Sequence, residues 1–166
     1  MQRVSIDFPS PILYSFTFTI NADDINIADH MGNERILVLA NTLREKMFEH
    51  LQIPLFDLQN RHGIVVANHC IQYKSEGFLG DEILLNAAVN DITECSFDLY
   101  FQFLKNNGKT MALLKTGCVY FDFETRKIMA LPESYLRAFI KTSVSELQLI
   151  LYNQYLSFHH HISVLS

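Results

Sequence analysis

The chain has 166 residues, 49% of them apolar and 13 of them phenylalanine, which suits one domain with a substantial core and excludes a disordered chain. No apolar run approaches the roughly 18 residues that a membrane-spanning helix needs. The formal net charge is −5 and the basic residues are scattered, so nucleic acid is a poor partner: backbone binding wants a concentrated basic patch.

Taken in chain order, Met1 to Asp7 lacks the basic and apolar regions of a secretory leader, and a cytoplasmic location is expected. Leu13 to Ile20 reads as a strand, with Tyr14, Phe16, Thr17, Phe18 and Thr19 supplying aromatic and β-branched side chains. Pro9 and Pro11 before it suit a sheet edge. From Asn21 to Gly32 the chain turns polar, and its Asp and Asn side chains favour local backbone bonds over a strand.

From Asn33 to His50 the period becomes helical. Ile36, Ala40, Leu43, Met47 and Leu51 recur every three or four residues, with Asn33 expected as N-cap and Glu34 at the positive end. Leu37, Val38 and Leu39 add apolar surface on almost every side of the first turns, which predicts a buried helix. Pro54 bars its continuation, and Asp57 to Gly63 reads as a loop.

Four more strands are expected, over Ile64 to Lys74, Asp81 to Ile92, Ser96 to Leu104 and Met111 to Phe123. Ser75 to Gly80, Asp91 to Glu94 and Asn106-Asn107-Gly108 separate them as turns. Short turns predict antiparallel neighbours, hence a meander whose one long crossover holds the helix. A second helical region opens at Pro132, with Leu136, Phe139 and Ile140 on its apolar stripe. Ser143-Val-Ser-Glu146 matches a capping box, so a further helix lined by Leu147, Leu151 and Tyr155 is expected. One domain spans 1–158. The polar tail 159–166 contains His159-His160-His161, which cannot share one helix face and reads as a surface tail or an expression remnant.

Cys70, Cys95 and Cys118 lie apart in strand-like stretches and read as buried, reduced thiols; no pairing suggests zinc or redox chemistry. His69 and Cys70 are adjacent on a strand, point to opposite faces and cannot form a nucleophile–base pair. Serine-elbow, phosphate-loop and zinc-protease motifs are absent.

The densest polar cluster runs from Asp24 to Asn33, between a strand and a helix start. The first amides of a helix lack internal partners and can hold developing negative charge. His30 and Asn33 are near enough in sequence to line one opening, and Gly32 lets a substrate approach the backbone. The plainer reading is that these residues are only caps and turn formers.

Asp24-Ile-Asn26 followed by His30-Met-Gly32-Asn33-Glu34 resembles the signature of hotdog-fold acyl-CoA thioesterase-like proteins, of the 4-hydroxybenzoyl-CoA thioesterase superfamily. Gly63-Ile-Val-Val, Tyr73 with Gly80-Asp81-Glu82, Thr116-Gly-Cys-Val-Tyr-Phe-Asp122 and Leu131-Pro132 extend the resemblance, in order, over roughly residues 12 to 135. It implies an α+β hotdog fold, a curved antiparallel sheet around a long central helix, with an extra C-terminal helix. It also implies a homodimer joined edge to edge, or a tetramer built from dimers, with the active site at the dimer interface. Asn26 stands where many members carry an acidic residue, and Thr42 where the subgroup commonly has glutamate; Arg44 matches.

The expected reaction is hydrolysis of an acyl-CoA thioester, with coenzyme A arriving as part of the substrate and no separate cofactor or metal. Asp24 is the expected general base, acting on water through Asn26 or His30, and Asp29 is the other carboxylate able to serve. His30 would orient water or assist the leaving thiolate, and the amides near Gly32 and Asn33 would hold the oxyanion. Tyr73 is a pocket wall or a core residue, Asp81 a turn cap and Glu34 a helix-start carboxylate. The alternative is a non-catalytic hotdog protein that binds acyl-CoA or acyl carrier protein. A dehydratase is a third reading, but its acid–base pattern is not found.

Overall fold

Half-buried aromatics alternate with exposed hydroxyl residues along Tyr14–Thr19, so this segment forms a strand with one wet face, β1. A computed structural model, which describes residues 4–141, places β1 at the edge of a seven-stranded antiparallel sheet. The other strands are β2 (Phe56–Asp57), β3 (His62–Tyr73), β4 (Glu82–Asn90), β5 (Ser96–Lys105), β6 (Thr110–Asp122) and β7 (Lys127–Ile128). Two helices complete the fold, α1 (Glu34–His50) and α2 (Glu133–Lys141). The sheet order is β1-β4-β5-β6-β3-β2, with β7 paired to β6. This is the α+β hotdog architecture: a half-barrel of antiparallel strands curved around a long helix, with an extra helix near the C-terminal end.

The expected meander is correct only for β4, β5 and β6. β3 and β4 are consecutive in the chain, yet β5 and β6 lie between them. Residues 74–81 therefore form an overpass rather than a tight turn. Eight residues reach roughly 26 Å when extended, ample to cross three strand spacings of about 4.8 Å. A short connection thus did not force adjacency, and long pairing with β6 decided the place of β3. The pairs β2–β3 and β6–β7 were not expected, being only two residues long on each side.

The concave face carries the core. Ile83, Leu85 and Ala87 of β4, Phe97, Leu99, Phe101 and Phe103 of β5, and Leu114 and Cys118 of β6 pack against Ile36, Leu39, Leu43, Met47 and Phe48 of α1. Their period of two on strands and of three or four on the helix is what lets one face of each element be buried. The expectation of a helix buried all round is corrected here. Val38 is 44% exposed, and Asn41, Glu45 and Glu49 share the wet side, because the half-barrel covers only one face. Asn33 does precede α1, but its backbone is already helical (φ −64°, ψ −29°) and its side chain makes no capping bond. On the convex face, Ile6 and Phe8 of the N-terminal arm pack over Ala88, Tyr100 and Leu113. Cys70 packs there too and, like Cys95, is half-buried; of the three thiols only Cys118 is fully buried, which pushes its pKa up to about 12.

The far end of α1 is closed by aromatic rings. Phe48 packs edge-on against Tyr135 and Phe139 of α2, and Phe97 packs against Phe139. The Tyr135 hydroxyl donates to the Pro54 carbonyl, and burial holds its pKa well above the ordinary tyrosine value. The expected capping box at Ser143, the helix beyond it and the histidine tail lie outside the described residues. Among the described residues no helix is long and apolar enough to cross a membrane.

Candidate active site at the start of the central helix

The polar stretch after β1 folds on its own side chains. Asn21 accepts from the amide of Asp23 at 2.9 Å, and Asp24 accepts from the amide of Asn21 at 2.9 Å, a reciprocal cap around the single 3₁₀ turn Ala22–Asp24. The remaining carboxylate oxygen of Asp24 lies 2.5 Å from the Arg35 guanidinium, and Asp24 is 2% exposed. One ion pair, buried on its carboxylate side, thus ties this turn to the first turn of α1.

Next comes a small looped hairpin. Ile25 bridges to Met31, the amide of Asn26 donates to the His30 carbonyl at 2.9 Å, and the Asn26 side chain accepts from the amide of Ala28 at 2.8 Å. Asp29 takes the left-handed conformation (φ 59°), which aspartate tolerates better than most residues. The loop carries Ile27 into solvent and turns His30 back toward the helix.

There His30 lines a pocket of about 270 Å³ with Gly32, Asn33 and Ile36 at the start of α1, Tyr73 at the end of β3, and Ser75, Glu76 and Gly77 of the overpass. Met31, Met111 and Ala112 add apolar wall. The Tyr73 hydroxyl donates to the Asn33 carbonyl at 3.2 Å and so braces the rim. The Gly32 amide donates to the Asp24 carbonyl at 2.9 Å, and the Arg35 amide to the Gly32 carbonyl at 3.1 Å. The amides of Asn33 and Glu34 lie between these two, at the positive end of a 17-residue helix.

The His30 ring is oriented by a carbonyl. Its Nδ1 is 3.1 Å from the Met31 oxygen, which only accepts, and 3.5 Å from Asn26 Nδ2, which only donates; the nearer contact is the one satisfied by the tautomer with its proton on Nδ1. The Nε2 lone pair is left facing Glu76, whose carboxylate oxygen is 4.0 Å away.

Of the residues expected from the sequence, His30, Gly32, Asn33 and Tyr73 meet at this pocket. Asp24 and Asn26 do not line it: Asp24 is engaged by Arg35, and Asn26 shapes the loop. Asp81 accepts from the Phe78 amide at 2.9 Å and from Lys105 at 2.7 Å, as a turn cap should, and the Lys105 bond holds its carboxyl below the usual range. Glu76 was missed. Its only local signal was a carboxylate three residues after Tyr73, in a stretch that read as an ordinary turn.

A second polar group sits where β3 and β6 face α1. His69 Nδ1 is 2.9 Å from the buried Thr116 hydroxyl. His69 is exposed on one side, and partial desolvation of its ring first, then the charge of Arg44, hold its pKa below the ordinary 6.5. Among the described residues no cluster of His, Cys, Asp or Glu is arranged to hold a metal.

The sequence profile described as "Thioesterase-like superfamily" matches residues 20–139, most of the chain. No curated protein matches it in sequence. Among solved structures, a 1,4-dihydroxy-2-naphthoyl-CoA thioesterase from Synechocystis is 16% identical, with 76% of this chain and 95% of that one covered at a TM-score of 0.69. A Staphylococcus aureus protein solved in complex with CoA is 17% identical, with 85% and 91% covered at a TM-score of 0.71. A Pseudomonas aeruginosa protein described as a putative thioesterase is 16% identical, with 77% and 98% covered at a TM-score of 0.70. At such identities the likeness speaks for the fold alone.

Proposed function

The chain belongs to the thioesterase-like superfamily, and from that premise we propose that it hydrolyses an acyl-CoA thioester to the free acid and CoA in the pocket where α1 begins. The observation that carries this reading is the juxtaposition of a histidine lone pair with a helix N-terminus across one partly apolar pocket. Hydrolysis needs a donor set for the carbonyl oxygen and a group that orients water. The amides of Asn33 and Glu34 suit the first role, since they are fixed before the oxyanion forms and carry the positive end of the helix dipole. His30 Nε2 suits the second, as an acceptor for water or a donor to the departing thiolate once protonated.

In this reading Asp24 works at one remove. Its bonds to Asn21 and Arg35 hold the loop that presents His30, while Asn26 sets the loop's curvature. Tyr73 keeps the rim in place through Asn33. CoA enters as part of the substrate and leaves as product, and no separate cofactor is required. The working form is a homodimer, or a tetramer of dimers. From Val65 to Tyr73 no strand among the described residues covers the outer edge of β3, and pairing across a two-fold axis would satisfy that edge.

The second reading, an acyl-CoA or acyl-carrier-protein binder without turnover, is favoured by the engagement of Asp24 with Arg35. Free-thiol release from a panel of acyl-CoAs separates the two. The expected result is turnover by the wild-type protein and an about 100-fold lower kcat for His30→Ala. Calorimetric binding of CoA, with no thiol released from any member of the panel, would reject hydrolysis in favour of binding.

A further inference from the structure

We propose that Glu76 is the carboxylate that takes the proton from the attacking water, an assignment that rests on the hydrolase reading above. Among the residues lining the pocket, Glu76 is the one carboxylic acid. Its Oε1 lies 4.0 Å from His30 Nε2. A water donating to both at hydrogen-bond legs of about 2.8 Å subtends close to a right angle between them, near the angle between its two O–H bonds, and keeps its lone pairs free for attack.

The pairing is built into the fold. The Met31 amide donates to the Gly77 carbonyl at 2.8 Å, so the residues just after His30 and Glu76 are joined backbone to backbone. Lys105 donates to the Glu76 carbonyl at 3.2 Å, and the Ser75 hydroxyl to the Thr110 carbonyl at 3.0 Å, fixing the overpass on both sides. A side chain at Gly77 would meet the ends of the Ile20 and Met111 side chains at 2.6 and 2.7 Å, so glycine lets the overpass pack on these core side chains without displacing them.

The step balances with no further reactant. The water oxygen bonds to the thioester carbon while its proton passes to the Glu76 carboxylate. The carbonyl electron pair moves onto oxygen, held by the amides at the start of α1. Collapse of that intermediate breaks the C–S bond, and the Glu76 proton goes to the departing thiolate, giving acid and free thiol.

The test compares wild type, Glu76→Gln, Glu76→Asp, Glu76→Ala and Glu34→Gln by thiol release, with CoA binding measured by calorimetry. Glu76 is exposed, its side chain 64% accessible, so these variants should fold. For Glu76→Gln the turnover rate should fall by about 100-fold or more, while KM and CoA affinity stay within about threefold. Part of the activity should return in Glu76→Asp, and in Glu76→Ala supplied with formate. Turnover retained within about threefold in Glu76→Gln overturns the assignment while leaving the hydrolase reading standing, and so does a larger loss in Glu34→Gln. Absence of thiol release by folded wild-type protein overturns the hydrolase reading, and this assignment with it.

Discussion

Asp24 and Arg35 show how a residue can matter to a site without facing it. The carboxylate is buried, accepts a backbone amide on one oxygen and lies in ion-pair contact with a guanidinium on the other, whereas the Arg35 side chain keeps 28% of its surface in water. The two partners should therefore respond unequally to removal. Arg35→Ala strands a buried carboxylate and is expected to cost roughly 3 kcal/mol in urea unfolding. Asp24→Asn leaves a cation that water reaches, and should cost clearly less. His69 offers a titration test. Its folded pKa lies below 6.5 through partial desolvation and Arg44, so the unfolded chain binds the proton more readily. The contribution to stability is then complete above pH 6.5 and is lost as pH falls through the folded pKa. His69→Gln should flatten the dependence of the urea midpoint between about pH 7.5 and 5 relative to wild type.

Among the elements, α1 divides the labour along its length. Ile36 at the pocket and Phe48 at the aromatic cap are twelve residues apart, roughly 18 Å along the axis. The cap from α2 is therefore a stability device and the first turn is where the chemistry is proposed. Phe139→Ala, which removes a ring packed on Phe48, Phe97 and Tyr135, should destabilise by about 3–5 kcal/mol in denaturant titration. CoA affinity measured well below the unfolding transition should stay within about twofold. The overpass is the other telling element. Ser75 to Gly80 read as a turn because their length and glycines suit one, and nothing local distinguishes a short connection that doubles back from one that crosses two strands.

For the whole molecule, the open edge of β3 leads to a prediction about assembly. Edge pairing in solution should give a mass of at least twice the 19.2 kDa chain in sedimentation. Ala67 is the β3 residue left out of register with β6, between Val66 and Asn68. Ala67→Pro should spare the β3–β6 ladder, remove a donor from the edge and shift the protein toward 19.2 kDa. An unchanged mass would show that the assembly, if any, uses another surface.

The sequence by itself determined the long helix, five main strands and the loop that brings His30, Gly32 and Asn33 to one opening. Each follows from short-range rules: a period of two or of three to four, asparagine and aspartate turning the backbone, proline and glycine ending elements. Tertiary structure alone decided that β6 and not β4 lies beside β3, that Arg35 engages Asp24, and that Glu76 faces His30. Those outcomes depend on which long segments pair and on what a connection passes over along the way. For β3 with β6 and for His30 with Glu76 the partners are far apart in the chain and no short window contains both; Asp24 and Arg35 are eleven residues apart, but only the folded loop between them aims one side chain at the other.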